Sequence, residues 1–296
     1  MGEKNCKSHS FKAFMATQFL GAFNDNAFKI VISLFALSVL SGPAVHARFM
    51  SLISALFIIP FIVFSPYAGQ IADRYSKRNI IVGMKIAEIM IMILGLFAFM
   101  SGKIFWMCVV LFLMTLQSAF FGPAKYGILP EMLGERELSK GNGYMGMWTF
   151  VAIIIGTAVG GQLMTVFTGD LQRISFILIG VAISGALSSL LIRQTKVVSN
   201  QRSFEINPFK DISKYFLEIR RDRALFLTLL GVGYFWFLGS MFQMNVMMYG
   251  HNFLNLSDVK TSLLLVSVSI GVGLGSFFPE NYPKGRLSLG LFLSEP

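Results

Sequence analysis

Asp25 and Lys29 stand four positions apart in a stretch that otherwise suits a membrane interior, Gln18-Phe-Leu-Gly-Ala-Phe-Asn24-Asp25-Asn26-Ala-Phe-Lys29. At that spacing the two side chains share one face of a helix and are placed to pair. A charge within a membrane helix is costly alone, so it faces a cavity or a partner. Asn24 and Asn26 add hydrogen-bond donors and acceptors beside it. Two roles remain open for Asn24, Asp25, Asn26 and Lys29: binding or coupling chemistry toward a substrate, or polar glue between helices.

A second charged segment is Gly69-Gln-Ile-Ala-Asp73-Arg74-Tyr-Ser-Lys77-Arg78. Its physical logic is a tight turn whose Asp73 pairs with the basic residues or faces the N-terminus of the next helix, where negative charge is favoured. Gly69, Asp73, Arg74, Lys77 and Arg78 would then act as a latch that must open when that side of the molecule opens. A plain basic loop is the alternative. A third segment, Gly122-Pro-Ala-Lys125-Tyr126-Gly-Ile-Leu-Pro130-Glu131, is expected to end a helix at its Gly-Pro. Lys125 and Tyr126 then sit at headgroup level, either meeting a phosphate or simply anchoring the interface, and chemistry alone favours the anchor. Lys85 and Glu88 are three apart and are expected to pair near the same membrane face. Gly156-Thr-Ala-Val-Gly160-Gly161 offers small residues that let helices approach closely.

The elements that must position these groups follow from composition. The chain has 296 residues, 54% hydrophobic and 14% charged, with a mean hydropathy of +0.66. Soluble domains carry about 25% charged residues, so lipid is the solvent for much of this surface. The expected class is an all-α membrane protein embedded in the lipid bilayer, because open sheets leave backbone groups unpaired there. Eight candidate spans can be read: 13–40, 49–69, 80–100, 104–122, 143–167, 173–192, 224–248 and 261–278. Residues 1–12 resemble the start of a signal peptide, but the apolar stretch after them is too long for one and holds Asn24, Asp25 and Asn26.

The net charge of +10 falls between the apolar runs rather than in one patch, so nucleic acid is not the expected partner. Sorted by loop, eighteen Lys and Arg lie on one side of the membrane and four on the other. That asymmetry places the N-terminus and the basic loop 193–223 in the cytoplasm. The expected organisation is a six-helix half over 1–192, a linker over 193–223, two helices of a second half over 224–278, and an atypical tail over 279–296. Cys6 and Cys108 form no disulfide framework, and His9, His46 and His251 are scattered. No nucleotide loop, catalytic triad or metal-ligand spacing is present, so neither an enzyme nor a cofactor is expected.

Two levels of resemblance follow. Gly69–Arg78 resembles the signature loop of the major facilitator superfamily, with Ser76 where the family prefers Gly. The segments TQFLGAFNDNAFK, GPAKYGILPEM and SKGNGYMGMWTFVAIIIGTAVGG resemble the bacterial lysophospholipid transporter family. They are equally similar to the transporter domain fused to 2-acylglycerophosphoethanolamine acyltransferase and acyl carrier protein synthetase. The resemblance implies a major facilitator fold of twelve helices in two halves, here truncated after about eight. It implies a bacterial inner-membrane protein that moves lysophosphatidylethanolamine-type lipids to the cytoplasmic leaflet, where an acyltransferase or acyl-ACP synthetase acts on them. It makes Asn24, Asp25, Asn26 and Lys29 cavity groups and Lys125 and Tyr126 headgroup contacts.

The departures are Gly146, where the family carries an acid, and the tail, where a Gly-Lys-Leu-Ser loop is expected. One coding of Pro279–Lys284, read two bases later, restores that loop, which implies a frameshift near Phe278. Residues 1–296 alone are therefore expected not to transport, and a non-transporting membrane remnant is one rival reading. The other is efflux of amphipathic drugs, since Gly156–Gly161 resembles an exporter motif with Thr157 in place of Pro.

The charge asymmetry predicts that reporter fusions within 193–223 report cytoplasm and fusions near Ala44 report the outside. A periplasmic signal from the loop would reverse the topology.

Overall fold

A computed structural model describes residues 2–167, 170–194 and 212–252 and a few isolated positions beyond; among these every regular element is a helix. In chain order they are α1 (Gly2–Val39), α2 (Pro43–Arg74), α3 (Lys77–Ser101), α4 (Ile104–Gly127), α5 (Leu129–Met132), α6 (Glu135–Val166), α7 (Leu171–Leu190), α8 (Ile212–Arg221) and α9 (Arg223–Asn252). The segments His9–Val39, Ala44–Arg74, Lys77–Ser101, Ile104–Met132, Lys140–Val166 and Leu171–Leu190 are long and apolar enough to cross a membrane. They match the first six predicted spans, with ends that differ by up to ten residues. The seventh predicted span lies within α9. Residues 195–211 of the linker, most of 261–278, and the tail 279–296 lie outside the described residues.

Helix is the outcome because each run buries its own backbone hydrogen bonds, which lipid cannot satisfy. The punctuation is partly as expected. Gly42 and Gly102 take φ of 100° and 62°, the left-handed region that suits glycine, at the α1–α2 and α3–α4 turns. Gly122-Pro123 does not end α4, contrary to expectation. The helix runs through Pro123 to Gly127. Proline removes one N–H and one ladder bond, a loss that membrane helices tolerate when neighbouring groups compensate.

In packing, α1 sits at the centre against α6 and α7, α2 packs on α4, and α3 packs on α4 and α7. Two apolar clusters form. One joins Phe28 and Ile32 of α1, Met92 and Phe99 of α3, Leu111 of α4 and Leu178 of α7. The other joins Phe14 of α1, Ile81 of α3, Ala124 and Ile128 around the end of α4, and Met145 of α6. Along α1, α3 and α4 alike, buried polar residues lie between the two clusters: Gln18 and Asn24, Lys85 and Glu88, and Gln117. Large apolar side chains such as Ile62, Phe97, Phe105 and Phe176 remain exposed on the outside, as suits a lipid-facing surface.

Gly156 and Gly160 set the α1–α6 distance. A Cβ on Gly156 would lie 2.4 Å from the carbonyl oxygen of Phe23, and one on Gly160 would lie 2.8 Å from that of Ala27. These are backbone atoms, unable to step aside as a side chain would. The two glycines are one turn apart on α6 and meet two residues one turn apart on α1, which is the close-approach geometry of small-residue interfaces.

Gly156→Ala is therefore expected to destabilise the bundle by about 1–3 kcal/mol, the usual range for overpacking. Gly146→Ala, whose Cβ would meet nothing within 4 Å, should stay within about 0.5 kcal/mol. Thermal unfolding in detergent, followed by thiol labelling of Cys108, compares the two.

Candidate functional site

The polar layer is built around a pair that the helix spacing allowed. Lys85 Nζ meets Glu88 Oε2 at 2.6 Å, and both side chains are 1% exposed. The pairing is as expected, and it lies buried inside the bundle. Gly21 of α1 makes room for it: a Cβ there would lie 2.3 Å from Lys85 Nζ. Lys85 also lies 5.4 Å from the centre of the Phe121 ring.

Glu88 uses its second oxygen to hold α1. Asn24 Nδ2 donates to Glu88 Oε1 at 3.0 Å, so the amide nitrogen is committed and Asn24 Oδ1 remains buried with no hydrogen-bond partner. Asp25 turns to α4: its Oδ2 accepts from Ser118 Oγ at 2.7 Å. Its Oδ1 is buried and also has no partner. Gln117 steadies this corner by donating from Nε2 to the Met84 carbonyl at 3.1 Å.

Asp25 and Lys29 share a helix face but do not pair. Asp25 is drawn to α4, whereas the Lys29 ammonium lies over the Phe57 ring of α2, 4.5 Å from its centre. Lys29 makes no ion pair among the described residues. Glu88, Lys85 and Lys125 all act electrostatically on Asp25. Asn26 is satisfied within its own helix, donating from Nδ2 to the Ala22 carbonyl at 2.7 Å.

Lys125 points inward. Its Nζ donates to Thr149 Oγ1 at 3.2 Å, and that hydroxyl lies 2.9 Å from Gln18 Oε1. Lys125 thus cross-links α4, α6 and α1. The reason is that α4 does not stop at Pro123, so Lys125 stays on the bundle's helical face. Tyr126 is different: it is 60% exposed. Gln18, Gln117, Ser118 and Thr149 were not singled out from sequence. The available signal was a polar side chain inside each apolar run.

The Gly69–Arg78 segment ties helix ends together, by contacts other than those expected. Asp73 is exposed and makes no ion pair among the described residues. Lys77 instead pairs with Glu131 of α5, lying against Gly127, where a Cβ would come 2.7 Å from Lys77 Cε. Arg78 donates to the carbonyls of Ile192 at 3.1 Å and Leu190 at 3.2 Å, where the end of α7 leaves backbone acceptors unpaired. Ser76 has φ of −55°, so the position does not need the glycine that the family prefers.

The Major Facilitator Superfamily profile matches residues 14–291. The chain is 27% identical over 286 residues to proteins named lysophospholipid transporter LplT, from Yersinia pestis (strain Pestoides F) and Yersinia pseudotuberculosis serotype O:3 (strain YPIII). Those alignments cover 93% of this chain and 66% of each relative, so the chain spans a little under two thirds of their length. In structure it is similar to a bacterial homologue of the human lysosomal transporter Spinster, solved in an inward-facing, unoccupied conformation. The TM-score is 0.64 at 16% identity, over 96% of this chain and 65% of that one.

Removing one member of the buried pair leaves an uncompensated charge. Lys85→Met is expected to cost about 3–5 kcal/mol, and Lys85→Met with Glu88→Gln much less, since no charge is stranded. Denaturant midpoints of the purified variants check this, and simple additivity of the single changes would show the two groups to be uncoupled.

Proposed function

This chain belongs to the major facilitator superfamily, and from that premise we propose that its polar layer binds the headgroup of a lysophospholipid of the lysophosphatidylethanolamine type. The observation that carries the reading is the arrangement of Asp25 and Lys29. The two charges lie four residues apart, about 6 Å along a helix axis, and each is turned away from the other. A zwitterionic headgroup fits between them. Its phosphate would accept from the unpaired Lys29 ammonium, a charge-assisted bond. Its ammonium would donate to Asp25 Oδ1 and Asn24 Oδ1, two buried oxygens without partners.

Glu88 has a positioning role in this scheme. By holding the Asn24 amide nitrogen, it leaves the oxygen as the group on offer. The relatives named lysophospholipid transporters support the substrate class. Exposed Tyr126 would meet the lipid at the cytoplasmic headgroup level, and Lys125, tied to Thr149, would release its contact only when α4 and α6 separate.

The protein is a multi-pass membrane protein of a transporter superfamily, not an enzyme. We place it in a bacterial inner membrane with its N-terminus in the cytoplasm, from the charge asymmetry of its loops. The proposed transport is alternating access, delivering the lipid to the cytoplasmic leaflet for a cytoplasmic acyltransferase or acyl-ACP synthetase. The Lys77–Glu131 pair and the Arg78 contacts to the α7 end serve as the latch, with Gly69, Asp73 and Arg74 in the same segment. Drug efflux loses its motive, because the glycines that resembled an exporter motif are accounted for by contact with α1.

Binding of labelled lysophosphatidylethanolamine to the purified chain in nanodiscs tests the reading. Saturable binding is expected, weakened about tenfold to a hundredfold by Lys29→Met, as for loss of a hydrogen bond to a charged group. Asp25→Asn should weaken this lipid more than lysophosphatidylglycerol, which carries no ammonium. Unchanged affinity in Lys29→Met would refute the headgroup assignment, and tight binding of a cationic drug that the lipid cannot displace would restore the efflux reading.

A further inference from the structure

Between the sixth membrane helix and α9 the chain forms α8, Ile212-Ser-Lys-Tyr-Phe-Leu-Glu-Ile-Arg-Arg221. Positions 212, 215, 216 and 219 are apolar, the three–four spacing of one helix face. Lys214, Glu218 and Arg221 fall on the other side together with Leu217, with Arg220 at the border. Ten residues make about 15 Å of helix, half the thickness of the hydrocarbon core, so α8 cannot span. Nor is it buried against the bundle: Phe216 is 50% and Leu217 58% exposed.

α8 also breaks sharply from the apolar helix that follows. Asp222 caps α9, its Oδ1 accepting from the N–H groups of Ala224 at 3.0 Å and Leu225 at 3.1 Å. The Phe216 ring then meets the Phe226 ring edge-on, centres 6.4 Å apart. In one straight helix those residues would be separated by about 15 Å. The chain therefore folds at Asp222, and α8 leans back on the first turn of α9.

We propose that α8 lies along the membrane surface as an interfacial helix, its apolar face at the acyl boundary and Arg220 and Arg221 on anionic headgroups. Three observations select lipid over a protein partner. One residue joins α8 to α9, whose first half is apolar, so connectivity already holds it at the surface. Its composition, basic residues against Ile, Tyr and Phe, is that of an interfacial helix. The only acids between 212 and 223 are Glu218 and Asp222, and Asp222 is engaged as a cap, so the exposed charge is complementary to an anionic leaflet. Anchored in this way, α8 fixes where α9 enters the bilayer and makes that point sensitive to lipid charge.

The test uses the full chain with Cys6→Ser and Cys108→Ser, carrying a fluorescent thiol label at Phe216→Cys, Ile219→Cys or Glu218→Cys. Each is reconstituted into vesicles of phosphatidylcholine with or without phosphatidylglycerol, doped with a shallow nitroxide lipid. Lipid quenching is expected at 216 and 219 and not at 218, stronger with phosphatidylglycerol. Arg220→Gln with Arg221→Gln should reduce that gain, at about fivefold per arginine in the surface equilibrium. Labels in water at 216 and 219 would overturn the proposal. So would labels shielded from water yet unquenched by lipid, which would assign the face to a protein, and so would quenching indifferent to phosphatidylglycerol. The readout does not involve lysophospholipid, so it stands apart from the substrate assignment.

Discussion

A carboxylate and an ammonium held almost wholly out of water, Glu88 and Lys85, determine how the centre of this bundle is arranged. Their desolvation is compensated only by their contact and by further hydrogen bonds. The structure supplies these with the space left by Gly21 and with one amide, that of Asn24, on the second carboxylate oxygen. Once Asn24 is pinned, the rotation of α1 about its own axis is set, and with it the directions of Asp25 and Lys29. The apolar clusters above and below keep water from the layer and so keep those interactions strong.

The helices were legible in sequence because a membrane span needs about 20 apolar residues and leaves no other folded option for its backbone. Local pairs were legible too: Lys85 and Glu88 belong to one helix, and their spacing alone brings them together. What lay hidden were contacts across helices. The spacing rule put Asp25 and Lys29 on one face, correctly, but could not know that Ser118 of α4 and Phe57 of α2 stand on either side of that face. The contact of Lys125 was hidden for a related reason. Gly-Pro was expected to stop the helix, but here the helix goes on, and the lysine reaches Thr149.

The Gly69–Arg78 segment gives the same lesson in another form. Its basic character is plain in the sequence. The identity of its contacts was not, because Glu131 and the carbonyls at the end of α7 are far away in sequence. Arg78 is well suited to such carbonyls, since its planar fork presents several donors at once. Asp73, the residue that drew attention in the sequence, faces outward in this conformation.

The glycine contact between α1 and α6 bears on how the bundle can move. Two backbones that touch at Phe23–Gly156 and Ala27–Gly160 interlock like a short rack and pinion, so neither helix can roll or slide without lifting off the other. The same stretch of α1 presents Asp25 and Lys29. Displacement of the charged residues in one conformational step therefore carries α6 along as a single lever, and the freedom to change shape is left to the lighter contacts elsewhere, among them the seam where α1 meets α2.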